Sequence, residues 1–352
     1  MEAVSESSSP LTTHAPPIKH SSPPIPPPTS LVAPMPLVRG WLFDRTSGHN
    51  PAHCNVQPNL TDIDPYKGCP LPGLNNLLFT QVNRWYCALR DNRALHLRDR
   101  SCNKGSSEPF RFSTIMQVNY PRLHEDFPGR PTSAICWSDI SKQDVAPSCE
   151  WGDIPKSYGT DLWWSARRLI DFHSVYYTTA RQFVNLVFNN EPYLAVHLRR
   201  GDYWQHCVVI KRKGIPPWVS FKNTNKLFDF EKGCYPTLEL VEATIIKVAA
   251  ENNIRHVFIA TNTPDEFAGM AQRVALANNT RIQVAIPKSF FDSVDGGRRR
   301  MRKLDTLIVE MAVLALGDAF LLNRYSSLSG MAYEMAVLHN KATPTSSNVM
   351  CW

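Results

Sequence analysis

None of the nine cysteines in this 352-residue chain forms a C-x-x-C pair. Cysteine-built metal sites draw their ligands from close pairs, so the spacing argues against a structural zinc. The nine stand scattered at 54, 69, 87, 102, 136, 149, 207, 234 and 351. That pattern fits several disulfides in an oxidising compartment or plain buried thiols, and the sequence leaves both open. The chain also lacks an RRM signature, zinc-finger spacing and a continuous basic helix. Its formal charge of +7 suits an anionic ligand without calling for nucleic acid. No convincing membrane span is present, since the most apolar stretch, "TLIVEMAVLALGDAFLL", is short and carries Glu310 and Asp318. A leader peptide is missing as well: "MEAVSESSSP" has neither a basic start nor an apolar core. Two sequons, at Asn59 and Asn278, lean towards secretion. The expectation is therefore either a cytosolic protein or one whose targeting segment is encoded outside this sequence.

What is present divides into three parts. Residues 1–57 form an arm whose first forty or so are rich in Ser, Pro and Thr ("SSPPIPPPTS"); they carry too little apolar surface to offset the entropy of ordering, which predicts disorder with polyproline character. Residues 58–165 are mixed, with a glycine-bearing loop, "PLPGLNNL", running into a helix and strand candidates at "RALHL" and "RFSTIMQV". From about 161 the signal sharpens. "DLWWSARRLIDFHSVYYTTARQFVNLVF" carries apolar residues at helical spacing. Strands "YLAVHL", "HVFIA", "RIQVAI" and "DAFLLN" then alternate with helices "TLELVEATIIKVAAENN", "TPDEFAGMAQRVALANN", "LDTLIVEMAVLAL" and "SLSGMAYEMAVLHN". Thr263, Pro264 and Glu266 read as a capping box at the start of the second of these helices. Short apolar strands alternating with amphipathic helices imply an α/β protein with a parallel, doubly wound sheet.

Ligands of such sheets bind beyond the carboxyl ends of the strands. Three suggestive clusters fall there: "HLRRGD" after the first strand, "ATN" after the second and "NRYSSLS" after the fourth. Arg199 and Arg200 can be a solvated pair, an adhesive RGD ligand or a diphosphate clamp. The buried-looking strand beside them disfavours the RGD reading, and the planar fork of arginine suits phosphate. Ser326, Ser327 and Ser329 open a helix, where they can cap it or cradle a phosphate with the free amides. His197 is either an inward strand residue or a contact to base or sugar. Asp305 starts a helix, where a carboxylate stabilises the macrodipole in any case. Gly73 permits close backbone approach, and Asn75 and Asn76 can cap a helix or hold a ligand.

In this order the clusters resemble the GDP-fucose protein O-fucosyltransferase family: "GLNNL", "HLRRGD", "ATN", "LDTLIVEMAVLALGDAFLLN" and "SSLS", over about 68–340. The resemblance implies a GT-B fold: two Rossmann-like domains, at 58–165 on the acceptor side and 166–345 for the nucleotide sugar, with a cleft between them. It implies inverting transfer of fucose from GDP-fucose to an acceptor hydroxyl of a glycoprotein, most simply Ser or Thr, or of a glycan. No metal or other cofactor would be required, and the family's usual home is the secretory pathway. Arg199 would contact the β-phosphate and support departure of GDP. Gly73, Asn75, His197, Arg200, Asp305, Ser326, Ser327 and Ser329 would hold the donor, and Asn76 would orient the acceptor. The chain departs from the pattern at Leu77, where the family has Gln, and at Pro72, where some members carry Glu, so no catalytic base carries over. Asp202 is the nearest carboxylate to the clamp, unless it only pairs with Arg200. An inactive nucleotide-sugar-binding or structural relative is the alternative.

Overall fold

Four of the strongest apolar runs become neighbouring strands of one sheet. The computed structural model describes short segments between residues 78 and 160. It then describes 161–352 apart from 222–223, 279, 295–302 and 343–347. The N-terminal arm, Pro72, Gly73, Asn75, Asn76 and Leu77 lie outside the described residues.

The sheet has six strands: β1 (Tyr193–Leu198), β2 (Asn225–Lys226), β3 (His256–Thr261), β4 (Arg281–Val284), β5 (Ala319–Leu322) and β6 (Val349–Cys351). Their spatial order is β4-β3-β1-β5-β6-β2, and every neighbouring pair is parallel. Register places Val196 opposite Ile259 and Ala195 opposite Phe320. Helices α1 (Asp161–Arg168), α2 (Ser174–Phe188), α3 (Tyr203–Lys213), α4 (Leu238–Glu251), α5 (Ala268–Asn278), α6 (Lys303–Ala315) and α7 (Ser327–Leu338) account for most of the connections.

Alternation along the strands assigns each side chain to a layer. Tyr193 and Ala195 of β1, Phe258 and Ala260 of β3, and Phe320 and Leu322 of β5 join one buried cluster with α2, α6 and α7. Leu194, Val196, Leu198, Val257, Ile259, Ala319 and Leu321 join the other, with Val241, Ile245 and Val248 of α4 and Met270 and Val274 of α5. Helices therefore cover both faces, which is why β1 reads as six consecutive buried residues rather than an alternating strand. Described residues of the first half, Leu78, Phe79, Val82, Ile115 and Met116 among them, belong to the first of these clusters.

Two local expectations are corrected. The helical run from 161 to 188 is broken by a short strand, Ile170–Phe172, which pairs antiparallel with Met116–Val118. Leu169 ends α1 with its amide bonded to the carbonyls of Ala166 and Arg167. The Asp171 carboxylate then accepts from the Phe172 amide and the Tyr177 hydroxyl, fixing the break. The capping box at Thr263 does not form: Thr263 makes no side-chain cap bond, and the segment begins as a 3-10 turn, Pro264–Phe267, before α5. Glu266 is instead bonded to Arg200.

Candidate functional site

The strand order reverses beside β1. The chain lays β3 and β4 outward on one side of it, and β5 and β6 on the other. In open parallel sheets the crevice at such a switch point, beyond the carboxyl ends, is where ligands bind. The turns after β1, β3 and β5 meet here and are bonded to one another.

The turn after β1 is set by Gly201, whose φ of +63° belongs to the left-handed region; a Cβ there would sit 3.2 Å from Asn262 Nδ2. Asn262, after β3, holds the turn from the other side: its Oδ1 accepts the Arg200 amide at 2.8 Å and its Nδ2 donates to the Arg200 carbonyl at 3.2 Å. The two arginines then part company. The Arg200 side chain, 10 % exposed, donates from Nε to Glu266 Oε2 at 3.1 Å. Its Nη1 donates to the Pro236 carbonyl at 2.7 Å, and its guanidinium lies 4.1 Å from the centre of the Tyr235 ring. The Arg199 side chain is 40 % exposed and, among the described residues, makes only a long contact, 3.5 Å, to Asp202 Oδ1. Arg199 thus offers a free fork at the sheet edge, while Arg200 is engaged with protein.

Asp202 precedes α3, makes no side-chain cap bond and is 78 % exposed. Its ion partner is Arg199 rather than Arg200.

His197, the last residue of β1 on the face that packs against α7, is buried, with Nδ1 2.6 Å from Ser329 Oγ. Burial, helped by the Arg199 charge, pushes its pKa down to about 3, so the imidazole is neutral at physiological pH. Ser329 Oγ also accepts the Asn323 amide at 3.0 Å. Asn323 is buried too; its Oδ1 accepts the Tyr325 amide and its Nδ2 donates to the Cys234 carbonyl. These bonds fix the β5–α7 turn against β1. Ser326 is the N-cap residue of α7 and makes no side-chain cap bond, although Gly330 N bonds its carbonyl. Ser327 is half-buried in the first turn. A helix end built this way presents main-chain N–H groups and the positive end of the dipole at the crevice.

Asp305 lies in the first turn of α6, buried, and accepts a hydrogen bond from the Tyr176 hydroxyl at 2.8 Å. Since α6 leads back into β5, its N-terminus lies on the carboxyl side of the sheet. The turns after β1, β3 and β5 thus bring His197, Arg199, Arg200, Asp202, Ser326, Ser327 and Ser329 to one edge. Sequence reasoning flagged Asn262 only as part of a cluster, assigned Glu266 to a capping box and missed Tyr235. The one signal for Glu266, its distance from Thr263, also fits a capping box.

The family model for GDP-fucose protein O-fucosyltransferase matches residues 71–338, most of the chain. The chain belongs to that family. Among solved structures, POFUT1 in complex with GDP aligns over 80 % of this chain and 95 % of its own, with a TM-score of 0.54 and 12 % identity. That likeness concerns the fold. The fucosyltransferase NodZ from Bradyrhizobium aligns over 76 % of this chain and 90 % of its own, at a TM-score of 0.42 and 14 % identity. No curated protein matches the sequence significantly. As a member of this fucosyltransferase family, the chain is placed among glycosyltransferases.

Proposed function

We propose that this protein transfers fucose from GDP-fucose to an acceptor hydroxyl of a glycoprotein or glycan, with inversion. The reading includes a two-domain GT-B arrangement, metal independence and the secretory pathway as its compartment. The observation that carries it is the joining, at the sheet's switch point, of the β1 end that bears the half-exposed Arg199 fork to the α7 N-terminus through the His197–Ser329 contact. Cleaving the sugar–phosphate bond leaves negative charge on the diphosphate. Donors aimed at that charge stabilise the transition state more than the ground state. Arg199 supplies two parallel N–H donors to the β-phosphate, and the Ser326–Ser329 turn supplies hydroxyls and amides. The Ser329 hydroxyl has a single proton; given to His197 Nδ1, it leaves Nε2–H as the donor towards the nucleoside. Asp305 supports the same pocket from α6.

The acceptor proton needs a destination. Asp202 is exposed and turned to Arg199, which suits charge neutralisation better than proton abstraction. The favoured path is dissociative: GDP departs first and a phosphate oxygen takes the proton, with Asn76 orienting the acceptor.

Calorimetry with GDP and GDP-fucose in EDTA, followed by a radiolabelled hydrolysis and transfer assay, tests the reading. The expected result is binding in EDTA, turnover, and transfer retained by Asp202→Asn. Absence of heat and of any thermal shift at millimolar ligand overturns it. Binding without turnover identifies an inactive nucleotide-sugar-binding relative.

A further inference from the structure

The tandem arginines pose a question that their sequence does not. Both stand at the end of β1, yet one guanidinium is half-exposed and the other is enclosed. The Arg200 side chain makes three contacts with two separate segments: Glu266 after β3, and the Pro236 carbonyl and Tyr235 ring ahead of α4. The 234–236 segment is itself anchored twice more. Cys234 is disulfide-bonded to Cys207 of α3, and its carbonyl accepts from Asn323, beside the serine turn. Arg200 therefore lies where the segments after β3 and ahead of α4 meet the Arg199–Gly201 turn.

We propose that Arg200 is a positioning residue: with Glu266, Tyr235 and Pro236 it forms a brace that fixes the adjacent Arg199 fork for the diphosphate, and it does not itself bind the donor. Two features carry this. The contacts engage Nε, Nη1 and the guanidinium face at once, so a ligand gripping the Nε–Nη2 edge bidentately would have to displace Glu266. Peptide geometry then links the two residues: with the Arg200 amide and carbonyl pinned by Asn262 and its side chain pinned by the brace, the Arg199 side chain leaves from a fixed backbone. A fork that is already oriented loses less entropy when it meets phosphate than one on a loose turn. The inference rests on the GDP-binding reading above.

A double-mutant cycle on GDP affinity, measured by calorimetry on the full chain, tests it. Arg200→Gln is expected to weaken GDP about 10-fold in the wild-type background, a tenfold change being about 1.4 kcal/mol. In an Arg199→Ala background the same change should cost less than about twofold, because the brace acts through Arg199. Equal losses in both backgrounds mean that Arg200 contacts the donor directly, which overturns the proposal. Glu266→Gln separates the readings a second way and spares the fold, since Glu266 is 37 % exposed. A brace predicts weaker GDP binding, whereas a direct ligand relieved of its carboxylate predicts unchanged or tighter binding. Guanosine affinity should stay within about twofold in every variant, because it lacks the diphosphate that the fork grips. If wild type binds no GDP, the donor-site reading fails. If wild type binds and Arg199→Ala weakens it while Arg200→Gln and Glu266→Gln do not, only the brace fails.

Discussion

At the scale of single residues, charge on the leaving group is the sharpest handle. Removing a donor that strengthens as the bond breaks costs on the order of 10²–10³ in turnover, and Arg199→Ala is expected to fall in that range. Arg199→Lys should recover little, because an ammonium is a point charge without the fork. A lysine variant with near-normal GDP-fucose turnover would show Arg199 to be a solvated charge. His197 gives a second prediction, in pH. Its folded pKa, about 3, lies below the 6.5 of an unperturbed histidine. The unfolded chain therefore binds a proton that the folded chain refuses, and stability is lost as pH falls from 6.5 towards 3. Between pH 7 and 4.5 this term is on the order of 2 kcal/mol. Denaturant unfolding should show that loss in wild type and a shallower slope in His197→Gln; parallel slopes would refute it. Which arginine is free was not legible in the sequence. The two are chemically identical neighbours, and only the partners gathered from 235–236 and 266 separate them.

At the scale of elements, the order of strands and helices around the site was legible because buried parallel strands are short unbroken apolar runs. Several strands of two or three residues were not, although Met116–Val118 falls within the candidate "RFSTIMQV". Ile170–Phe172, Asn225–Lys226 and Val349–Cys351 exist only through pairing partners distant in sequence, so no local period announces them. The helix that presents the serine turn is held by a device equally silent in sequence. Arg167 of α1 donates from Nε to Glu334 of α7 at 2.9 Å, with side chains 1 % and 0 % exposed. Ser220 donates to the other carboxylate oxygen, Oε1, at 3.3 Å. Burial holds the Glu334 carboxyl above its ordinary pKa, and the Arg167 charge opposes that shift. Breaking such a pair leaves an uncompensated buried charge, so Arg167→Met should destabilise by about 3–5 kcal/mol. Replacing both, as Arg167→Met with Glu334→Leu, should restore much of the loss, because the pair's own desolvation offsets most of its attraction. Chemical denaturation of the two variants decides this; equal destabilisation would mean that lost packing dominates.

At the scale of the whole molecule, cysteine chemistry links the fold to its compartment. Scattered cysteines left two readings open in the sequence, and the fold separates them for individual residues. Cys207 and Cys234, 27 residues apart, are joined, Cys87 is also disulfide-bonded, and Cys351 is free and buried on β6. Closing a loop of that length removes unfolded-state entropy worth roughly 3.5 kcal/mol in the chain-entropy account. The Cys207→Ser, Cys234→Ser double variant should therefore unfold earlier by about that amount. Cys351 behaves in the opposite way: burial pushes its thiol up to about 12, so at pH 8 it is neither ionised nor accessible. Alkylation of the protein as purified from its native cells, without reductant, discriminates between compartments. Peptide mass mapping should find Cys351 unlabelled in the folded state and labelled after denaturation. Cys207 and Cys234 should resist alkylation in both states until a dithiol is added. Ready labelling of Cys207 and Cys234 in the unreduced, denatured protein would place the chain in a reducing compartment and remove the secretory part of the proposal. The donor-site argument would survive, because Arg199 and the serine turn belong to β1, β5 and α7, which are joined through the His197–Ser329 contact and not through the disulfide.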